Sequence, residues 1–249
     1  MIRKQLILII LCTVTIYGCA VNPVTGKKQI RLITESQELR IGSKQYSPSR
    51  QMQGGDYEVD PSLTEYVKSV GKRLAAVSDR KLPYEFVVIN NSVPNAWALP
   101  GGKIAVNRGL LLEMNNEAEL AAVLGHEIVH AAARHGARGM ERGMLLQGAV
   151  AVTGIAAGGS NYANLAVRGA QMAAGLITQK YGRDAEREAD LYGMQYMSQA
   201  GYDPQAAVSL QEVFVRLSKD RDTDWLSGLF YSHPPISKRI EMAKKCIQL

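Results

Sequence analysis

Cysteine is scarce in this chain: three residues in 249, at positions 12, 19 and 246. That number cannot build a disulfide scaffold, and the spacing is wrong for a cysteine-rich zinc knuckle. Aromatic residues make up 6% of the chain, and no basic stripe is interleaved with them, so nucleic acid is not an expected partner. Long hydrophobic runs are missing as well. The apolar stretch from Met144 to Gly158 contains glycines and Gln147, and it falls short of the roughly twenty apolar residues that cross a bilayer. Histidine is the last scarcity, with four residues at 126, 130, 135 and 233. Two of those four stand in one pentapeptide.

At the start of the chain, Arg3 and Lys4 precede the apolar run Leu6 to Leu11, and the segment closes on Ile16-Tyr17-Gly18-Cys19. Residues 1–18 therefore read as an export signal peptide. Cys19 resembles the lipidated first residue of a bacterial lipoprotein, although Tyr17 is bulkier than the residue usual at that place. In similar proteins a residue other than Asp after that cysteine, here Ala20, goes with sorting to the outer membrane. The expectation is a lipid-anchored envelope protein facing the periplasm. Loss of Arg3 and Lys4 with the signal takes the net charge from +6 to +4. Only Cys246 then remains as a thiol, so no intramolecular disulfide can form.

The pentapeptide is His126-Glu127-Ile128-Val129-His130. Residues four apart on a helix differ by only about 40° in azimuth, so both imidazoles reach one point beside it. Glu127 lies roughly 100° round from His126, close enough to act on a water without ligating the metal. Asn116 with Glu119 reads as an N-cap and its capping-box partner. Leu120, Val123, Leu124 and Ala131 carry an apolar stripe through the motif. A hydrolytic zinc site is the sharp reading; two surface histidines with a glutamate between them is the bland one.

A catalytic zinc usually takes three protein ligands. The metzincin pattern would need glycine at 133 and histidine at 136, where this chain has Ala133 and Gly136; His135 reads as a polar residue closing the helix. Downstream, Glu186 and Asp190 are four apart and share a helix face, with Glu188 pointing well away. Glu186 can ligate the metal while Asp190 accepts a hydrogen bond from a ligand histidine. A solvated acidic face paired with Arg183 and Arg187 is the alternative.

These pieces together resemble the gluzincin branch of zinc peptidases, specifically metallopeptidase family forty-eight, which includes the HtpX-like, Oma-like and CAAX-prenyl-protease-like enzymes. The residues that carry the likeness are Asn22 to Gly26, Asn95 to Gly102, the zinc helix, the Glu186/Asp190 helix, Gly201 to Pro204 and Ser232 to Pro235. The resemblance implies one Zn2+ per chain held by His126, His130 and Glu186, with Glu127 as general base and Asp190 behind the ligands. It implies an α+β, mostly helical fold whose active-site helix packs on a small antiparallel sheet. It also implies polypeptide substrates, with misfolded or unassembled envelope proteins suggested.

The rest of the chain divides accordingly. Residues 19–60 read as a polar, lipid-attached N-terminal arm with a short helix from Glu35 to Gln45, broken at Pro48 and Gly54-Gly55. Residues 61–249 read as the peptidase domain. There a helix spans about Ser62 to Ala76 and a strand Tyr84 to Ile89; Ala96 to Leu99 and Lys103 to Val106 form a hairpin around Pro100-Gly101-Gly102. By analogy with gluzincins, Asn95, Ala96 and Trp97 would be the edge on which an extended peptide adds as a strand; the simpler reading packs Trp97 in the core. The Gly/Ala-rich region 136–175 is either a lid or a pair of closely packed helices. By the same analogy, His233 would hydrogen-bond the developing oxyanion, or coordinate the metal at rest; otherwise it buttresses the final helix. Two other functions compete with the endopeptidase. One is a chaperone-like lipoprotein that binds unfolded chains and cleaves little; the other is a purely structural zinc site, which the carboxylate beside His126 disfavours.

Overall fold

The computed structural model describes residues 19–156 and 181–220, together with residues 233, 239, 241, 243 and 244. The expected signal peptide, residues 157–175 of the expected lid, and most of the chain after residue 220 lie outside the described residues. In order, the elements are β1 (Cys19–Val21), β2 (Lys28–Ile30), α1 (Glu35–Met52), α2 (Pro61–Ala76), β3 (Glu85–Ile89), β4 (Ala96–Leu99), β5 (Lys103–Asn107), α3 (Arg108–Leu111), α4 (Glu117–Ala132), α5 (His135–Ala156), α6 (Arg183–Gln199) and α7 (Gln205–Asp220). The fold is α+β and mostly helical, as the resemblance implies. No described helix is long and apolar enough to cross a membrane.

β1 and β2 form an antiparallel hairpin. The second sheet has the order β3-β5-β4. The expected hairpin is its antiparallel half, pairing Ala96 with Val106 and Leu99 with Lys103. Gly101 and Gly102 turn it with φ of 78° and 84°, the left-handed values that tight hairpin turns favour. The strand expected at Tyr84 to Ile89 lies parallel to β5, so this sheet is mixed. Both of its faces are covered. Phe86, Val88, Ala96, Ala98, Ile104 and Val106 pack with α2 and α4, while Val87, Ile89, Trp97, Leu99 and Ala105 pack with Tyr46 of α1. A sheet buried on both sides needs strands that are apolar throughout, hence Phe-Val-Val-Ile in β3 rather than an alternation.

The second face is closed by the segment expected as an arm. α1 runs past Gln45 to Met52 with Pro48 inside it, so Pro48 does not break the helix. Proline in a helix interior removes one hydrogen bond and costs about 3 kcal/mol. Tertiary contacts offset this around the proline: the Tyr46 hydroxyl donates to Ile104 O at 3.0 Å, the Tyr46 ring meets Trp97 edge-on at 6.1 Å, and Arg50 pairs with Asp56 at 3.1 Å. At the other end Thr34 caps the helix, with Gln37 closing a capping box.

A buried ion network fastens α1 to the end of α4. Glu38 is fully buried and accepts from Arg80 at 2.9 Å and from Arg134 Nε at 3.0 Å. Arg134 also reaches Glu141 at 3.1 Å and Ile33 O at 2.7 Å. Two carboxylates and two guanidinium groups thus balance in the interior. Removing one member leaves a buried charge uncompensated, which costs about 3–5 kcal/mol. Glu38→Ala is expected to lose that much in urea titration, as a lower midpoint with an unchanged slope. A loss below about 1 kcal/mol would show that the network is not buried in solution.

Candidate metal centre

α4 starts where its capping residues dictate. Asn116 accepts from Glu119 N at 3.0 Å. The Glu119 carboxylate reaches back one residue further than a standard capping box, accepting from Asn115 N at 2.8 Å, and it also accepts from Ser209 Oγ of α7 at 2.7 Å. From Leu120 onward the helix is buried on nearly every side. It packs most extensively on α6, and two glycines let the backbones approach. A Cβ on Gly125 would lie 3.1 Å from Gly193 O, and one on Gly193 would lie 3.1 Å from His126 N. This close approach brings Glu186 and Asp190 of α6 level with His126 and His130.

Four donor groups converge: His126, His130, Glu186 and His233, all with ligand atoms within 4.8 Å of one another. His126 Nε2 is 2.9 Å from His130 Nε2, 3.2 Å from His233 Nδ1 and 3.5 Å from Glu186 Oε2. Glu186 Oε1 is 3.4 Å from His130 Nε2 and 3.1 Å from His233 Nδ1. A tetrahedral zinc with ligand bonds of about 2.0–2.1 Å has donor-to-donor edges of roughly 3.3 Å. Five of the six donor pairs, at 2.9 to 3.5 Å, are of that size.

The electrostatics agree. Burial disfavours a charged His126, yet hydrogen bonds to Asp190 and Glu186 outweigh it and push the imidazole up to about 10. His130, more deeply buried, is held well below the ordinary histidine range. Glu186 is also buried, but His233 and the hydrogen bonds from His126 and His130 hold it well below the usual carboxylate range. A buried cluster that draws a proton onto an imidazole is, in charge terms, a cation site. The donor set of imidazoles and one carboxylate suits zinc.

Glu127 stands beside these donors without joining them. Its Oε1 is 3.4 Å from His233 Nε2; its Oε2 is buried with no hydrogen-bond partner among the described residues. Burial pushes its carboxyl above the ordinary glutamate range, with His233 and His126 pulling the other way. Asp190 Oδ1 lies 3.0 Å from His126 Nδ1, and Arg239 donates to both of its oxygens at 2.7 and 2.6 Å. A carboxylate can only accept, so His126 carries a proton on Nδ1, which leaves Nε2 as the nitrogen available to a metal.

Some expected residues lie elsewhere. Of the Asn95–Trp97 stretch, Ala96 lines a largely apolar cavity that runs from His126 and Glu127 between α4, α6 and α7, past Val123, Met194 and Phe214. Trp97 faces α1 on the opposite side of the sheet, and Asn95 O accepts from Asn107 N at 2.9 Å. β4 is nevertheless an edge strand of its sheet. Cys19 begins β1, and its strand pairing sets it opposite Ile30. Near it in sequence, Asn22 Nδ2 reaches Ala133 O at 3.2 Å, tying the hairpin to the end of the active-site helix.

Four contributors escaped the sequence reading. His135 is buried against His130, with their Nδ1 atoms 2.9 Å apart. Glu188 does point away from Glu186, but into His135, at 3.2 Å from Nε2, and that hydrogen bond holds its carboxyl down at about 2. Tyr181 stacks on His130 with ring centroids 4.0 Å apart. Arg239 bridges Asp190 and Glu186. Only His135, five residues after His130, carries any sequence signal.

Comparison with known proteins places these residues in a family context. The model of peptidase family M48 matches residues 61–247. Over 220 residues the chain is 33% identical to the beta-barrel assembly-enhancing protease of Escherichia coli (strain K12), covering 80% of this chain and 44% of that protein. It is 34% identical over 198 residues to mitochondrial metalloendopeptidase OMA1 of Schizosaccharomyces pombe, covering 76% of this chain and 56% of that one. Against metalloprotease YcaL of Escherichia coli (strain K12) the identity is 30% over 177 residues, or 69% and 67% of the two chains. The chain thus spans less than half the length of the assembly-enhancing relative.

Proposed function

Because this chain belongs to peptidase family M48, a family of zinc metalloendopeptidases, we propose that it hydrolyses peptide bonds of misfolded or unassembled proteins in the bacterial cell envelope. The observation that carries this is the convergence of the His126, His130, Glu186 and His233 donors within 4.8 Å of one another, with Glu127 buried beside them. His126, His130 and Glu186 are the ligands. Zinc bound there would supply a Lewis acid that polarises a water and a carbonyl oxygen.

The chain's own residues do the rest. Glu127, with no partner on Oε2, takes the proton of the attacking water and returns it to the leaving amine. Its raised pKa makes the protonated form a competent donor for that second transfer. Asp190, clamped by Arg239, fixes the tautomer of His126. The β4 edge at Asn95–Trp97 offers backbone groups to an extended substrate, a mode of recognition that asks little of its sequence. The apolar cavity beside Glu127 accommodates an apolar side chain next to the scissile bond. Acylation of Cys19 would tether the molecule to the outer membrane, facing the periplasm. The relative whose name speaks of β-barrel assembly supports an envelope setting.

His233 has two roles open to it, and the geometry favours one. With Nδ1 at 3.1 Å from Glu186 and 3.2 Å from His126 Nε2, it fills the fourth position of the tetrahedron and so closes the site at rest. His233→Ala is therefore expected to raise the rate of casein cleavage while weakening zinc binding about tenfold. An oxyanion role predicts the opposite sign, a loss of about 10²–10³ in kcat.

The whole reading is tested by casein hydrolysis with the zinc-loaded protein. Cleavage should stop with a zinc chelator and return with added zinc. A protein that binds about one zinc, holds unfolded chains and never cuts them, even as His233→Ala, would instead be the chaperone-like binder.

A further inference from the structure

We infer that His135, backed by Glu188, is a positioning residue that fixes the protonation and orientation of His130. The inference rests on His130 being a metal ligand through Nε2, the atom that faces His126 and Glu186 at 2.9 and 3.4 Å. A ligating imidazole nitrogen must be bare, so the proton of neutral His130 sits on Nδ1. That nitrogen lies 2.9 Å from Nδ1 of His135. Two imidazole nitrogens at this distance share a single proton, so His135 Nδ1 is the acceptor. Its own proton then belongs on Nε2, which lies 3.2 Å from Glu188 Oε2. A carboxylate only accepts, so it enforces that placement. Every proton in the line is assigned in one direction: His130 donates to His135, and His135 donates to Glu188. The reverse order would put an N–H on the nitrogen that faces the other donors.

Glu188 is itself held. Arg138 reaches Oε2 at 3.3 Å, and Lys27 from the β1–β2 hairpin reaches Oε1 at 3.2 Å. His126 has a carboxylate directly behind it; His130 has one imidazole more in the line.

The chain departs from helical geometry to make this contact. In an unbroken helix, residues five apart point about 140° away from each other, so His135 could not lie behind His130. Arg134 interrupts the helix between them with φ of 61°, the one non-glycine residue with a positive φ among the described residues. A left-handed arginine costs on the order of 1 kcal/mol. The buried carboxylates Glu38 and Glu141 hold it there. The reversal folds His135 back against the edge of the ligand ring, while Tyr181 stacks on its face with centroids 4.0 Å apart.

The test is zinc affinity of the full-length protein, measured by competition with a chromophoric chelator. His135→Leu removes both hydrogen bonds and should weaken zinc binding about 10- to 100-fold. His135→Asn places Oδ1 where Nδ1 was and restores the acceptor for His130; it should recover most of that loss. The zinc-free variants should melt at similar temperatures. Zinc affinity within twofold of the parent in His135→Leu would overturn the inference. So would equal losses in the Leu and Asn variants accompanied by equal drops in melting temperature, which would mark a packing role. Should His135→Leu fail to fold, nitrogen-15 NMR of the zinc-loaded parent still decides: protonated Nδ1 on His130 and Nε2 on His135 are expected, and protonated Nδ1 on His135 would contradict them. An unweakened His130→Ala would remove the premise that His130 is a ligand, and the inference with it.

Discussion

Replacing Glu127 with glutamine should lower kcat/KM for casein by about 10²- to 10⁴-fold, the range for loss of a positioned general base. Zinc stoichiometry should stay at the parent's value, because Glu127 stands outside the donor set. The expected cost in stability is near zero. Glutamine keeps the shape of a side chain that is 2% exposed, and it removes a carboxyl whose ionised form is disfavoured by burial. Activity lost together with zinc would mean that Glu127 holds the metal. Activity within threefold of the parent would remove it from the chemistry.

Glu186→Ala should have the largest effect on the metal. Losing a ligand exceeds losing a group behind one, so zinc affinity should drop by more than about 100-fold, with no measurable cleavage at micromolar zinc. The charge argument points the same way. Glu186 is the carboxylate that faces His126, His130 and His233 together; without it, a dication would meet only neutral rings. Asp184, two residues earlier on α6 and largely in water with Arg187, serves as the control. Asp184→Ala should bind zinc like the parent. Loss in both variants would indicate damage to α6 rather than to the ligand set.

The features these experiments address were legible because they are local. Spacing of four along a helix sets His126 beside His130 and Glu186 beside Asp190, whatever the rest of the chain does. The turn glycines 101 and 102 announced the β4–β5 hairpin, and Asn116 announced the start of the active-site helix. α2 is readable from Leu63, Val67, Val70 and Leu74 on one face, of which the last three are buried and Leu63 is half-buried.

Other features turn on which elements face one another. Glu188 was set aside because it points away from Glu186, and its direction was right. Helix geometry does not reveal that the chain beyond α4 folds back into that space, bringing His135 with it. Pro48 and α1 are a second case. Propensity argues for a break at the proline, but the far face of the sheet needs a cover, and the packing of Tyr46 there outweighs one lost hydrogen bond. Arg239 is a third, a surface-type residue by sequence that is buried against Asp190 and Glu186.

The sequence by itself determined the chemistry of this protein: the donor types, their azimuths on two helices, and the carboxylate beside them. Those follow from helix geometry, which depends on nothing distant. Only the tertiary structure decided which rings are buried, which nitrogen of each carries its proton, and that His233 joins the cluster. For His126 and His233 these depend on burial and on partners 47 to 107 residues away in the chain, and no local spacing encodes such a partner.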